Sequence, residues 1–283
     1  MNTMTLQPFC VAVLGVAAMA GVTACSKQGE RAAETPQATT QAVAPPAGTP
    51  HWEYGAEGPA VWASLSPAFA ACASGRSQSP IDIVTTAANS QPALRMSYRP
   101  ASLRVVHHEH MADGINNGHT IQINYGGADT LTVGDERYAL VQYHFHAPSE
   151  HTVGGRHYPM EMHLVHKSAA GDLAVVGVLI EEGQRNAAFE PVWANLPTEK
   201  GMEMHYQHVQ VDVDDLLPRD RSAYRYAGSL TTPPCSEGVK WLVLATPIQL
   251  STEQIGAFTA IVRDNNRPVQ PLNGRSIALD RVR

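Results

Sequence analysis

Gln142-Tyr143-His144-Phe145-His146-Ala147-Pro148-Ser149-Glu150-His151 is followed a short way on by Glu161-Met162-His163-Leu164-Val165. Side chains alternate in character from Tyr138 to His146 and again from Glu161 to His166. A β-strand sends successive side chains to opposite faces. His144 and His146 therefore share one face, with Phe145 on the other, and His163 on a neighbouring strand is expected to complete a cup of three imidazoles. Three neutral imidazoles with an open fourth position make a catalytic zinc site. A zinc-binding histidine is oriented by a hydrogen bond to its far ring nitrogen. Gln142 stands two residues before His144, and Glu161 two before His163. Each acceptor thus lies on the face of its ligand. A solvated polar strand face would explain His-x-His alone, but not the paired acceptors.

Outward from this stretch the chain reads as strand after strand, at Leu103–Val106, Thr120–Tyr125, Leu131–Val133, His208–Val213 and Val239–Ala245. Leu173–Ile180 is a near-continuous apolar run suited to a central strand. Gly-, Pro- and Asn-rich turns separate them. Helical signals are confined to Ala187–Asn195 and to Thr252–Arg263, the latter with Ser251 as N-cap and Glu253 in the first turn. The expected fold is mainly β (α+β), a single domain built on a large, mostly antiparallel central sheet with short peripheral helices.

The chain has 283 residues and a net charge of -6, which argues against a nucleic-acid partner because that would need a basic face. Phe9–Ala24 is apolar but shorter than the roughly 20 residues of a transmembrane helix, and suits a secretory signal over residues 1–25. Its end, Val22-Thr23-Ala24-Cys25-Ser26, resembles a bacterial lipobox with Cys25 as the lipidated residue. Simple cleavage after Ala20 or Ala24 is the alternative. Residues 26–50 are rich in Ala, Thr, Gln, Gly and Pro and read as a flexible tether. The globular domain spans 51–283. Cys72 and Cys235 read either as one long-range disulfide of an exported protein or as two buried thiols.

The motifs quoted above, with Ser149-Glu150-His151, Glu161-Met162-His163-Leu164-Val165-His166 and Ser229-Leu230-Thr231-Thr232-Pro233-Pro234-Cys235, resemble the α-class carbonic anhydrases of bacterial type. His51-Trp52-Glu53-Tyr54-Gly55, Gln78-Ser79-Pro80-Ile81-Asp82-Ile83, Asn116-Asn117-Gly118-His119 and the run from Asn265 to Leu272 extend the likeness over most of the globular part, in the family's order. The resemblance implies zinc-dependent, reversible hydration of CO2 to bicarbonate and a proton. It implies zinc ligation by His144, His146 and His163. Thr231 matches a gatekeeper whose hydroxyl donates to Glu150, and Thr232 a contact to bicarbonate. Val165, Val175, Leu230, Val239 and Trp241 match an apolar wall for CO2, which carries no net dipole. His119 matches the proton shuttle, with Asn117 and Gln122 beside it. It also implies a Cys72–Cys235 disulfide and binding of sulfonamide and anion inhibitors. The expected location is the periplasm, with a lipid anchor and a homodimer both left open.

Three competing readings are a zinc-free binding module, a dedicated zinc esterase and an envelope adhesin. His107-His108-Glu109-His110 lacks paired acceptors and reads as an exposed loop, with a second metal site as the alternative. His151 and His166 read as structural.

Overall fold

A computed structural model of the chain describes residues 39–42, 50–84, 94–99, 101–110, 115–125, 129–198, 200 and 202–280, and side chains at most of these outside 39–42, 101–118 and 202–208. The signal, the lipobox with Cys25 and most of the tether lie outside the described residues. No described helix is long and apolar enough to cross a membrane.

In chain order the strands are β1 (Thr39–Ala42), β2 (Asp82–Ile83), β3 (Leu94–Ser97), β4 (Ala101–His110), β5 (Ile115–Asn124), β6 (Thr130–Val133), β7 (Glu136–His146) and β8 (Thr152–Val153). They continue as β9 (Arg156–His157), β10 (Met160–Ser168), β11 (Leu173–Glu182), β12 (Met202–Val211), β13 (Ala223–Ser229), β14 (Glu237–Leu244), β15 (Ile248–Leu250) and β16 (Ala278–Asp280). The helices are α1 (Trp62–Leu65), α2 (Ala71–Ser74), α3 (Glu190–Trp193) and α4 (Thr252–Thr259). One large sheet runs β1-β12-β4-β5-β7-β10-β11-β14-β13-β16, with β3, β6 and β15 joined to it. It is mixed: most pairs are antiparallel, but β11 runs parallel to both β14 and β15.

The sheet is covered on both faces around its centre, and β11 shows why its sequence is apolar throughout. Ala174, Val176, Val178 and Ile180 enter one core cluster. Val175 and Leu179 enter the other, with Val239, Trp241 and Tyr226. Burying such side chains contributes about 1.5–3 kcal/mol each. In β7 the burial alternates at first and becomes continuous from Gln142 to His146, where both faces are covered. A third cluster of Trp52, Trp62 and Phe69 packs around the Cys72–Cys235 disulfide.

Three local expectations change. His107–His110 is not a loop but the end of β4, because pairing with β5 gives its backbone a partner that local sequence does not reveal. Thr39–Ala42, inside the expected tether, pairs antiparallel with β12. An edge strand presents unpaired N–H and C=O groups, and an extended Thr-rich segment satisfies them. Ala187–Asn195 divides into a 3-10 turn at Ala187–Phe189 and the short α3 with Pro191 near its start. In α4, Ser251 caps as expected, and Gln254 completes a capping box.

Candidate metal centre

β7 and β10 are antiparallel neighbours whose register sets His163 opposite His144. Period two then places His146 on the same face as His144. The result is three buried imidazoles with one donor nitrogen each, all within 4.8 Å of one another. Each far nitrogen is held by an oxygen that can only accept. His144 Nδ1 donates to Gln142 Oε1 (2.8 Å), His146 Nδ1 to the Asn265 carbonyl (2.6 Å) and His163 Nε2 to Glu161 Oε1 (2.9 Å). Two histidines therefore present Nε2 to the cup, and His163 presents Nδ1.

Electrostatics favour the ligand form. Burial pushes His146 down to about 4 and also lowers His163, so both are neutral at neutral pH. His146 Nε2 is buried and makes no hydrogen bond. A buried lone pair without a donor is costly unless a cation meets it. This donor set fits Zn2+.

Glu161 does more than hold one imidazole. Burial opposes its charge, but the imidazoles of His151 and His163 outweigh that and hold it well below the usual carboxylate range. His151 donates to it from Nδ1 (2.7 Å) and from its backbone N–H (2.8 Å). The Tyr226 hydroxyl joins His151 Nε2 (2.6 Å) to Ser79 Oγ (2.9 Å). Ser79 Oγ accepts from the Ser229 N–H (3.0 Å), and the Ser79 N–H donates to Ser229 Oγ (2.9 Å). A continuous buried chain thus runs from His163 to the segment bearing Thr231.

Glu150 lies under the cup. Its Oε1 accepts from the Arg267 N–H (2.8 Å), while Oε2 stands 3.6 Å from His146 Nε2 and 3.8 Å from His163 Nδ1. Burial raises it to about 7, against the pull of His163, the Arg267 N–H and the Thr231 hydroxyl. Thr231 therefore bears on this carboxylate. Thr232 is buried beside it, and its carbonyl accepts from the N–H of disulfide-bonded Cys235 (2.8 Å). Val175, Val239 and Trp241 are buried in one cluster, with Val165 and Leu230 packed against it and partly open. The Trp241 ring lies 4.9 Å from that of His163, so this wall adjoins the cup. His119 is on β5 and is buried, its ring 3.5 Å from that of Trp52. Gln122 lies opposite His144 in the β5·β7 ladder. The side chains of Asn117, His107, His108 and His110 lie outside the described residues.

A family model described as eukaryotic-type carbonic anhydrase matches residues 57–281. The chain belongs to that family. A carbonic anhydrase from Klebsiella pneumoniae is 45% identical over 231 residues, covering 80% of this chain and 90% of that one. One from a Nostoc species is 41% identical over 235 residues, covering 81% and 86%. The α-carbonic anhydrase of Thermovibrio ammonificans, solved with the inhibitor sulfanilamide, superposes with a TM-score of 0.76 at 44% identity, covering 82% of this chain and all of that one. The chain is thus an enzyme, a carbonic anhydrase.

Several residues of this carbonic anhydrase escape a reading by local pattern. The family resemblance implies a backbone carbonyl near Asn265 behind His146, and the structure has it there, but neither Asn265 nor Arg267 is legible locally because both reach the centre from far along the chain. Gly177 sits opposite His163 on β11, and a Cβ there would come within 2.9 Å of Glu161 Oε1. Its sequence signal is a lone Gly inside an apolar strand, which marks a close approach. His151 and Tyr226 show no such signal.

Proposed function

We propose that the chain hydrates CO2 reversibly to bicarbonate and a proton, with a zinc ion held by His144, His146 and His163. The observation that carries this is the set of three buried donor nitrogens, each fixed in tautomer by its own acceptor. Bound there, zinc supplies a Lewis acid that generates a water-derived nucleophile at neutral pH. The chain does the rest. Gln142, Asn265 and Glu161 hold the three rings in orientation. By the family resemblance the Thr231 hydroxyl donates to Glu150, and it can then only accept from the nucleophile and so orients it. Val165, Val175, Leu230, Val239 and Trp241 offer an apolar wall to CO2, and Thr232 is placed to contact bicarbonate. His119, whose imidazole can both accept and donate a proton, carries the proton out. Leaving its place against Trp52 would require a ring rotation during the cycle.

Stopped-flow CO2 hydration tests the centre. His144→Ala is expected to abolish activity, and activity that survives this change would refute the zinc mechanism. His119→Ala is expected to slow turnover in dilute buffer and to recover with added imidazole. Because the Thermovibrio relative was solved with sulfanilamide, we expect a sulfonamide to inhibit this chain at the same cup.

The disulfide and the bacterial relatives support export to an oxidising compartment. We place the domain in the periplasm, tethered through a lipidated Cys25. Cys25→Ser should release it from membranes.

A further inference from the structure

β5 and β7 are paired from Gln122 opposite His144 to Asn124 opposite Gln142. Continued toward the start of β5, that register would set Thr120 opposite His146. The ladder stops short of it, and side chains take over. Thr120 Oγ1 donates to the Phe145 carbonyl (2.5 Å) and accepts from the Phe145 N–H (3.3 Å). Asn265 fills the next position from outside both strands. Its Nδ2 donates to the His119 carbonyl (2.8 Å) and to the Phe145 carbonyl (2.9 Å), and its Oδ1 accepts from the Ala147 N–H (2.8 Å). The residue is 1% exposed. Both amide hydrogens are in use, as is the amide oxygen.

We propose that Asn265 is a positioning residue for proton transfer, its side-chain amide acting as a fixed spacer between the backbone of His119 and the zinc-ligand strand. Direct ladder bonds would draw the two strands together. The amide instead holds them one planar group apart and pins the His119 carbonyl, next to the Cα about which its ring swings. The same residue touches His146 only through its backbone carbonyl, which a side-chain substitution leaves in place. Ligand support and shuttle placement are therefore separable. This proposal rests on the reading of His119 as the proton shuttle.

Asn265→Asp keeps the shape and Oδ1 but loses both donations; Asn265→Ala is the second variant should the first fold poorly. In full-length protein stripped of metal, hydrogen exchange of the amides around 119–122 and 145–147 should accelerate by about tenfold. In the zinc-loaded enzyme, kcat in dilute buffer should fall about fivefold while kcat/KM stays within about twofold, with rescue by imidazole. Zinc affinity, read by chelator competition, should stay within about threefold. Unchanged exchange at these amides overturns the spacer. So does a parallel loss of kcat, kcat/KM and zinc affinity, which would make Asn265 a support of the ligands alone. If His119→Ala shows no buffer-dependent defect, the shuttle reading fails instead, and with it the proton-transfer role. The exchange result then decides whether Asn265 is still a spacer.

Discussion

Single residues in this molecule carry costs as well as functions. Tyr143, between Gln142 and His144, is fully buried, and its hydroxyl makes no hydrogen bond. Removing an unsatisfied buried hydroxyl relieves a desolvation penalty. Tyr143→Phe is expected to leave the fold equally stable or to raise stability by about 1 kcal/mol, read from the urea midpoint. His166 shows the opposite economy, with both nitrogens in use. Its Nδ1 donates to the Leu164 carbonyl (3.0 Å) and its Nε2 accepts from the Tyr98 hydroxyl (3.0 Å). Burial lowers it from 6.5 to about 4. The folded state therefore favours the neutral ring, and the unfolded chain takes up a proton first as pH falls. Stability from this residue is present above pH 6.5 and is lost as pH drops toward 4, on the order of 3 kcal/mol in all. Urea titrations between pH 7 and 4 should show a shallower fall for His166→Gln than for the wild type. Equal slopes would assign the acid sensitivity elsewhere.

At the level of elements, β11 works as a two-sided wall with one notch. Its alternating residues feed two cores, and Gly177 interrupts the series where Glu161 needs room. A methyl group at this position would press on the carboxylate that orients His163. Gly177→Ala is expected to destabilise by about 1–3 kcal/mol, as overpacking does. It should also weaken zinc binding by roughly tenfold, the low end for disturbing a ligand's support. Chelator competition on the variant checks the second effect. An unchanged zinc affinity would mean that β10 shifts freely against β11. Two further features of the same sheet were not legible. β13 does not alternate in burial, so its tyrosines gave no strand signal, yet it supplies Tyr226 to the chain behind His151. β4 extends through His107–His110 only because β5 pairs with it there.

For the molecule as a whole, the disulfide ties the start of the domain to the turn after Thr232. Its two cysteines lie 163 residues apart. Closing so long a loop restricts the unfolded chain strongly, and its removal is expected to cost roughly 2–5 kcal/mol. Denaturation of Cys72→Ala/Cys235→Ala against the oxidised protein measures this. A loss below about 1 kcal/mol would show that packing of Trp52, Trp62 and Phe69 holds the segment unaided. Arg267 reinforces the same junction. Its guanidinium is buried and donates to the carbonyls of Cys72 and Ser79 and to Gln78 Oε1 (2.8, 2.8 and 2.9 Å). Its own N–H meanwhile fixes Glu150. Arg267 thus links the disulfide segment directly to Glu150.

The sequence by itself determined what strand geometry makes local. Period two put His144 and His146 on one face and set Gln142 behind His144 and Glu161 behind His163, whatever the rest of the chain did. The apolar run from Leu173 announced a strand covered on both sides. Tertiary structure alone decided everything that depends on register and on distant chain. The pairing of β7 with β10 brought His163 to the cup, and the disulfide fixed where the Thr231 turn sits. Asn265 reached His146, Ala147, Phe145 and His119 from 119 residues beyond His146. The physical reason is range: side-chain direction along a strand is a property of neighbouring dihedrals, whereas the partner of a buried donor is set by how the whole chain packs.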